Sequence, residues 1–239
     1  MIIIVNPPLN TLLVIFATLI ISCVETTQNE ESKETITENP STINEVNSNN
    51  NEVFTSYNTF EDPRDGKNYK TITLGKLTWF AENLNYAMEG AYSYDNNEQN
   101  SAKYGRLYKW EVALKACPDG WHLSTEYDWQ YTEEKLGMDF RELMYTRNRG
   151  MDEGGKMKAG GTSGMEVLYG GWRRKDGTFS ALGENAAFWT STEADMDHAW
   201  HRDIDTGDDF IYRSRVVKSY GLSCRCVKNY QVKDVKEEE

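Results

Sequence analysis

Apolar and polar positions along this chain change period several times, and each change marks an element. In "RDGKNYKTITLGKLTWFAENLNY" the residues Tyr69, Ile72 and Leu74 interrupt a polar background, and Leu77, Trp79 and Ala81 do so again after Gly75-Lys76. That local alternation predicts a half-buried strand pair with its turn at Gly75-Lys76. The period then lengthens. In "GRLYKWEVALKAC" Leu107, Trp110, Ala113 or Leu114, and Cys117 recur at intervals of three and four. This spacing predicts a short helix starting near Arg106, which Pro118 stops. A second helix is expected behind Thr125, whose hydroxyl can cap it while Asp128 reaches back in a capping box, and Gly137 ends it.

From Gly150 to Glu193 the chain is rich in glycine and aromatic residues, which predicts irregular loops and short strands. Its last third reads as antiparallel strands. Asp205-Thr206-Gly207-Asp208 forms the natural hairpin turn, and Leu222 through Val227 the closing strand. The expected architecture is therefore α+β, with two short helices ahead of a twisted, loop-rich antiparallel sheet.

The flanks have a different composition. Leu12 to Ile21 is an apolar run broken only by threonine, followed by Ser22 and Cys23, and no Lys or Arg precedes it. The run suits a signal-peptide core and is short for a membrane span, which needs roughly 20 residues. Its end, "IISC", resembles a bacterial lipoprotein signal, in which the cysteine is acylated and becomes the mature N-terminus. Residues 1–22 are thus expected to be a signal and Cys23 the lipidation site. Residues 23–56 are dominated by Glu, Asn, Ser and Thr and are expected to form a disordered tether. Residues 57–229 make the folded domain, and 230–239 a charged tail. Such a chain is anchored to a membrane and does not span it.

The 239 residues carry 38 Asp and Glu against 26 Lys and Arg, a formal charge of −12. With no concentrated basic stripe, the chain is not expected to bind nucleic acid. Cys117, Cys224 and Cys226 remain after Cys23, and in an exported protein a structural disulfide is the expected use. Only one of Cys224 and Cys226 is expected to face Cys117, and spacing does not say which. A zinc site on the Cys-x-Cys pair would need further ligands. His198 and His201 would lie on opposite faces of a strand, so they are read as structural. His122 lies just ahead of the capping threonine and is read in the same way.

Asp203, Asp205, Asp208 and Asp209 concentrate oxygen atoms around a turn, and Asp205 with Asp208 form a weak calcium candidate. They lack the spacing of an EF-hand loop. Seven tryptophans stand among the 239 residues. Trp79, Trp110, Trp121, Trp129 and Trp189 lie in apolar patterns and are expected to build the core, each with its indole N–H bonded. Trp172 and Trp200 have more polar neighbours. Trp172, Arg173 and Arg174 are the candidate contact residues for a glycan or an envelope protein. No catalytic residue and no cofactor is expected.

"GKNYKTITLGKLTWFAENLNY", "YGRLYKWEVALKACPDGWHLSTEYDW", "FWTSTE" and "YGLSCRCVKN" together resemble the hallmarks of the Fibrobacter succinogenes major paralogous domain. The likeness runs in order from Asp65 to Asn229. It implies an exported bacterial protein, often a lipoprotein, with a fold like that of C-type lectins and formylglycine-generating enzymes. It also implies a Cys117–Cys226 disulfide, leaving Cys224, where the family more often has a small aliphatic residue, as a surplus thiol. Formylglycine-generating enzymes bind copper through a cysteine pair on an upstream loop, where this chain reads "YRSRVVKSYG". The calcium-binding motifs of sugar-binding lectins do not appear either. The expected function is a non-catalytic recognition or adhesion module of the cell envelope, anchored at the outer membrane or cell surface. A structural envelope protein is the alternative, and a copper-dependent oxidase is disfavoured.

Overall fold

The computed structural model describes residues 56–229, which fall within one compact unit. The expected signal, Cys23, the tether ahead of Ser56 and the charged tail lie outside the described residues. Among the described residues no helix is long and apolar enough to cross a membrane.

The predicted strand pair is present. β1 (Asn58–Glu61) pairs antiparallel with β2 (Asn68–Leu74), and β2 with β3 (Leu77–Phe80). Gly75 turns between them at φ +58°, where a Cβ would stand 2.4 Å from the Tyr131 hydroxyl. Only glycine meets both demands. That hydroxyl accepts the Lys76 amide at 3.1 Å, fixing the turn to a helix more than fifty residues away.

After β4 (Ala91–Tyr92) comes α1 (Glu98–Tyr104), capped by Asn97, whose side chain accepts the Gln99 amide at 3.0 Å. Of "EQNSAKY" only Ser101 is buried, so no apolar period announces this helix. The helix predicted from Arg106 is largely replaced by a strand. β5 (Leu107–Lys109) holds Leu107 opposite Tyr92 and Tyr108 opposite Ala91, and the helical turn α2 (Trp110–Ala113) is only four residues long. Sheet pairing keeps Leu107 extended, although its spacing to Trp110 also suits a helix.

β6 (Trp121–Leu123) leads into α3 (Glu126–Lys135), which has the predicted start. Thr125 Oγ1 accepts the Asp128 amide at 3.0 Å, and Asp128 Oδ2 accepts the Thr125 amide at 2.8 Å. Two N-terminal amides are thus satisfied reciprocally, as the capping box requires. β7 (Arg147–Arg149) leads into the glycine-rich region, which forms α4 (Glu153–Met157), β8 (Trp172–Arg173) and β9 (Phe179–Ser180). The long strands follow: β10 (Asn185–Glu193), β11 (His198–Asp205) and β12 (Ile211–Val217). The domain is α+β and β-rich, with four short α-helices among the described residues where two were expected.

The single closing strand expected at Leu222–Val227 is divided into β13 (Gly221–Leu222) and β14 (Cys226–Lys228). β13 belongs to the sheet ordered β4-β5-β13-β8-β9, and β14 to the sheet ordered β1-β2-β3-β14-β6. A third sheet runs β10-β11-β12-β7. Ser223 to Arg225 crosses between them. The Ser223 amide donates to the Ala187 carbonyl at 2.9 Å, while the carbonyls of Cys224 and Arg225 accept from Leu84 and Ser124, each at 3.0 Å. Arg225 is fully buried, and its guanidinium donates to the carbonyls of Phe80 (2.9 Å), Met165 (2.6 Å) and Glu166 (3.1 Å) and to the Asn83 side chain (2.9 Å). One side chain therefore ties the β3 end to the 165–166 loop.

Apolar packing fills two clusters. Trp79, Trp129 and Phe188 meet in one, with 5.1 Å between the Trp79 and Trp129 rings. Phe80, Tyr108, Trp189 and both Cys224 and Cys226 lie in the other. Indole N–H groups find carbonyls or a hydroxyl: Trp110 bonds Thr190 O, Trp129 bonds Ser124 Oγ and Trp189 bonds Tyr108 O. Trp79 departs from the expectation, since its buried Nε1 has no partner.

Candidate functional site

Trp172 and Arg174 bracket Arg173 on a narrow hairpin formed by β8 and β9. The Arg174 amide donates to the Thr178 carbonyl at 2.7 Å, and the turn is closed by Asp176, which accepts from both the Thr178 amide and hydroxyl. Alternation along the hairpin splits the predicted trio. Arg173 turns to the ring of Tyr92, its guanidinium 4.0 Å from the centroid. Trp172 and Arg174 instead line a pocket of about 290 Å³.

The rest of that pocket comes from residues far apart in sequence. Ala187 of β10, Val216 of β12 and Leu222 of β13 give it apolar surface, and Tyr220 adds an aromatic ring. His201 and Asp203 come from β11, two residues apart and therefore on one strand face. Their side chains are joined, His201 Nε2 to Asp203 Oδ2 at 3.0 Å. His201 is 7 % exposed, and its Nδ1 has no hydrogen-bond partner. No donor reaches Asp203 Oδ1 among the described residues, and Arg174 spends one Nη2 contact on Ser180 Oγ at 3.2 Å. The pocket thus presents an acceptor, a cation and two aromatic rings over an aliphatic surface.

Of the three predicted contact residues, Trp172 and Arg174 line this pocket, and His201, Asp203 and Tyr220, not predicted as contacts, line it with them. Arg173 was assigned to the contact set but packs on Tyr92. The acidic hairpin does not line the pocket. Asp205 accepts from Asn185 Nδ2 at 2.8 Å, and Asp208 Oδ1 accepts the Phe210 amide at 3.1 Å. Lys158 reaches into the same turn, donating to the Asp208 carbonyl at 2.6 Å and to Asp209 at 2.9 Å. The weak calcium candidate at Asp205 and Asp208 is therefore not assembled. Each carboxylate is spent locally and an ammonium sits beside them. Among the described residues no group of three or more His, Cys, Asp or Glu is placed to hold a metal ion.

The cysteine-rich corner is structural. Cys117 and Cys226 form a disulfide that joins residues 109 apart in sequence, and Cys224 is buried as a free thiol. Burial pushes the Cys224 thiol pKa well up, which suppresses the reactive thiolate. Beside this corner His122 bridges Asp128 (3.0 Å) and Asn229 (2.8 Å). The hydrogen bond to Asp128 raises the His122 pKa above 6.5 against the effect of burial. His198 is held by Asp195 at 2.7 Å.

Fold and site together define a β-rich α+β domain, closed by one disulfide, with an aromatic pocket at the junction of two sheets. The chain belongs to the Fibrobacter succinogenes major domain family, whose model matches residues 72–228 and so takes in every residue of the pocket. No curated protein and no solved structure matches the chain.

Proposed function

We propose that this protein is a non-catalytic recognition or adhesion module of the bacterial cell envelope, with the pocket beside Trp172 as its ligand site. The observation that carries this reading is the convergence on one concave site of Trp172, Arg174, His201, Asp203 and Tyr220 from separate elements. Pockets with an apolar lining and a few convergent polar groups are where small ligands bind. The copper-oxidase alternative needs a thiol pair, and Cys117 and Cys226 are consumed in their disulfide, leaving Cys224 as the free thiol among the described residues.

We read the fold as C-type-lectin-like, related to formylglycine-generating enzymes, a scaffold on which loops carry variable contacts. Acylation at Cys23, followed by the polar tether, holds the domain near the outer membrane or cell surface. Fatty-acid labelling of wild type and Cys23→Ala tests the anchor, and equal labelling of both rejects it. Saturable binding of the full-length protein to isolated envelope polysaccharide or envelope protein, weakened by Trp172→Ala at unchanged thermal stability, supports the pocket. Binding indifferent to Trp172→Ala removes it.

A further inference from the structure

We infer that the pocket takes a single neutral pyranose ring directly, without a calcium ion, with Asp203 and Arg174 as its polar contacts and Trp172 as its stacking face. This rests on the recognition reading above and names the ligand class for the same site. Size comes first. A volume of about 290 Å³ lies at the lower limit for small-ligand sites, enough for one ring and too small for a folded peptide segment.

The polar atoms set the chemistry. His201 holds Asp203 Oδ2 at 3.0 Å and so fixes the carboxylate, leaving Oδ1 as an acceptor without a donor on a side chain that is 17 % exposed. A pair of ring hydroxyls donates to such an oxygen. Arg174 has N–H groups left after its Ser180 contact and donates to hydroxyl or ring oxygens. The two charges oppose one another, so an anion attracted by Arg174 is repelled by Asp203, and a cation meets the reverse. Hydroxyl groups, which donate and accept while carrying no charge, satisfy both.

The remaining surface suits the other face of a sugar. Trp172 and Tyr220 offer rings, and Val216 and Leu222 offer aliphatic surface, to the C–H side of a pyranose. A purely apolar peptide side chain would cover Asp203 Oδ1 while giving it no partner. Calcium is not required for this contact set, because the carboxylate and the guanidinium address the hydroxyls themselves.

Saturation-transfer NMR on the full-length protein tests this, with methyl glucoside, methyl galactoside, methyl mannoside and glucuronate as probes, in the presence and absence of EDTA. At least one neutral methyl glycoside should show transfer that EDTA leaves unchanged. Asp203→Asn, which keeps the shape of the side chain, should weaken it about tenfold or more at unchanged melting temperature. Arg174→Gln should weaken it too. Transfer abolished by EDTA overturns the metal-free contact. Transfer to glucuronate alone, or to no probe, overturns the neutral pyranose. In that case Trp172-dependent binding to envelope material leaves the recognition reading standing, whereas binding indifferent to Trp172 ends both.

Discussion

Glu133→Gln perturbs a fully buried ionic group of the domain. The Glu133 carboxylate is fully buried on α3 and accepts from Arg149 at 2.8 and 2.7 Å and from Arg202 Nε at 2.8 Å. Glu126 in turn takes Arg202 and, at 2.7 Å, Arg213. Three guanidinium groups therefore share two carboxylates beneath the helix, and α3 is bolted to β7, β11 and β12 through them. Glutamine is nearly isosteric but removes one of the two negative charges, leaving Arg149 with no carboxylate.

Breaking a buried pair from one side costs about 3–5 kcal/mol, because the surviving charge stays desolvated. For a domain of this size each kcal/mol moves the melting temperature by roughly 2–4 °C. The expected fall is therefore about 6–20 °C, read by calorimetry or urea unfolding at neutral pH. Replacing Glu133 and Arg149 together, as Glu133→Leu with Arg149→Met, should recover much of the loss, since Arg149 is then not stranded and Arg202 keeps Glu126.

The acid limb gives a second readout. Burial works to raise the Glu133 pKa, but the charges of Arg202 and Arg149 outweigh it and hold the pKa below its ordinary 4.5. A depressed folded pKa means the contribution is complete above pH 4.5 and is lost as pH falls through the folded value. Glu133→Gln should lack this part of the acid transition. A cost below about 1 kcal/mol, the range of solvent-exposed pairs, would refute the buried network.

The disulfide closes a loop between residues 109 apart, so Cys117→Ser with Cys226→Ser should cost about 2–5 kcal/mol in urea unfolding. Cys224 should resist maleimide in the native protein and react only on unfolding, because it is buried with a raised pKa; rapid native labelling would contradict its burial. His122 has a folded pKa raised above 6.5, chiefly by its bond to Asp128. Its contribution is therefore full below pH 6.5 and is lost as pH rises through the folded pKa, so His122→Ala should destabilise more at pH 5.5 than at pH 8.5. An equal loss at both would contradict that sign.

Local chemistry was legible wherever neighbours in sequence decide the outcome. Thr125 with Asp128, Gly75 at the hairpin, and the core roles of Trp129 and Trp189 depend on spacing alone, and they stand as read. The Cys117–Cys226 bond was legible through family likeness, because periodicity treats Cys224 and Cys226 alike and both are buried in the same cluster. Polar "EQNSAKY" hid α1, since its helix is set by the Asn97 cap and not by an apolar face. Leu107 and Trp110 carry a helical interval across a strand, because pairing with β4 overrides local preference.

The pocket needed tertiary information. His201 reads as structural and Asp203 as part of the acidic turn, although their spacing of two puts them on one strand face, a signal available in the letters. What no spacing shows is that this face meets Trp172 and Tyr220. The same holds for Glu126, Glu133, Arg149, Arg202 and Arg213, whose charges suggest surface positions and whose pairing alone permits their burial.

Whether the pocket is the ligand site is decided most directly by mapping NMR shift changes on the full-length protein as soluble envelope polysaccharide is added. Saturable changes should centre on the Trp172 indole and the methyl groups of Val216 and Leu222, and should vanish in Trp172→Ala. Changes confined to exposed side chains such as Phe140, Met144 and Met151, with the pocket signals unmoved, would contradict the account.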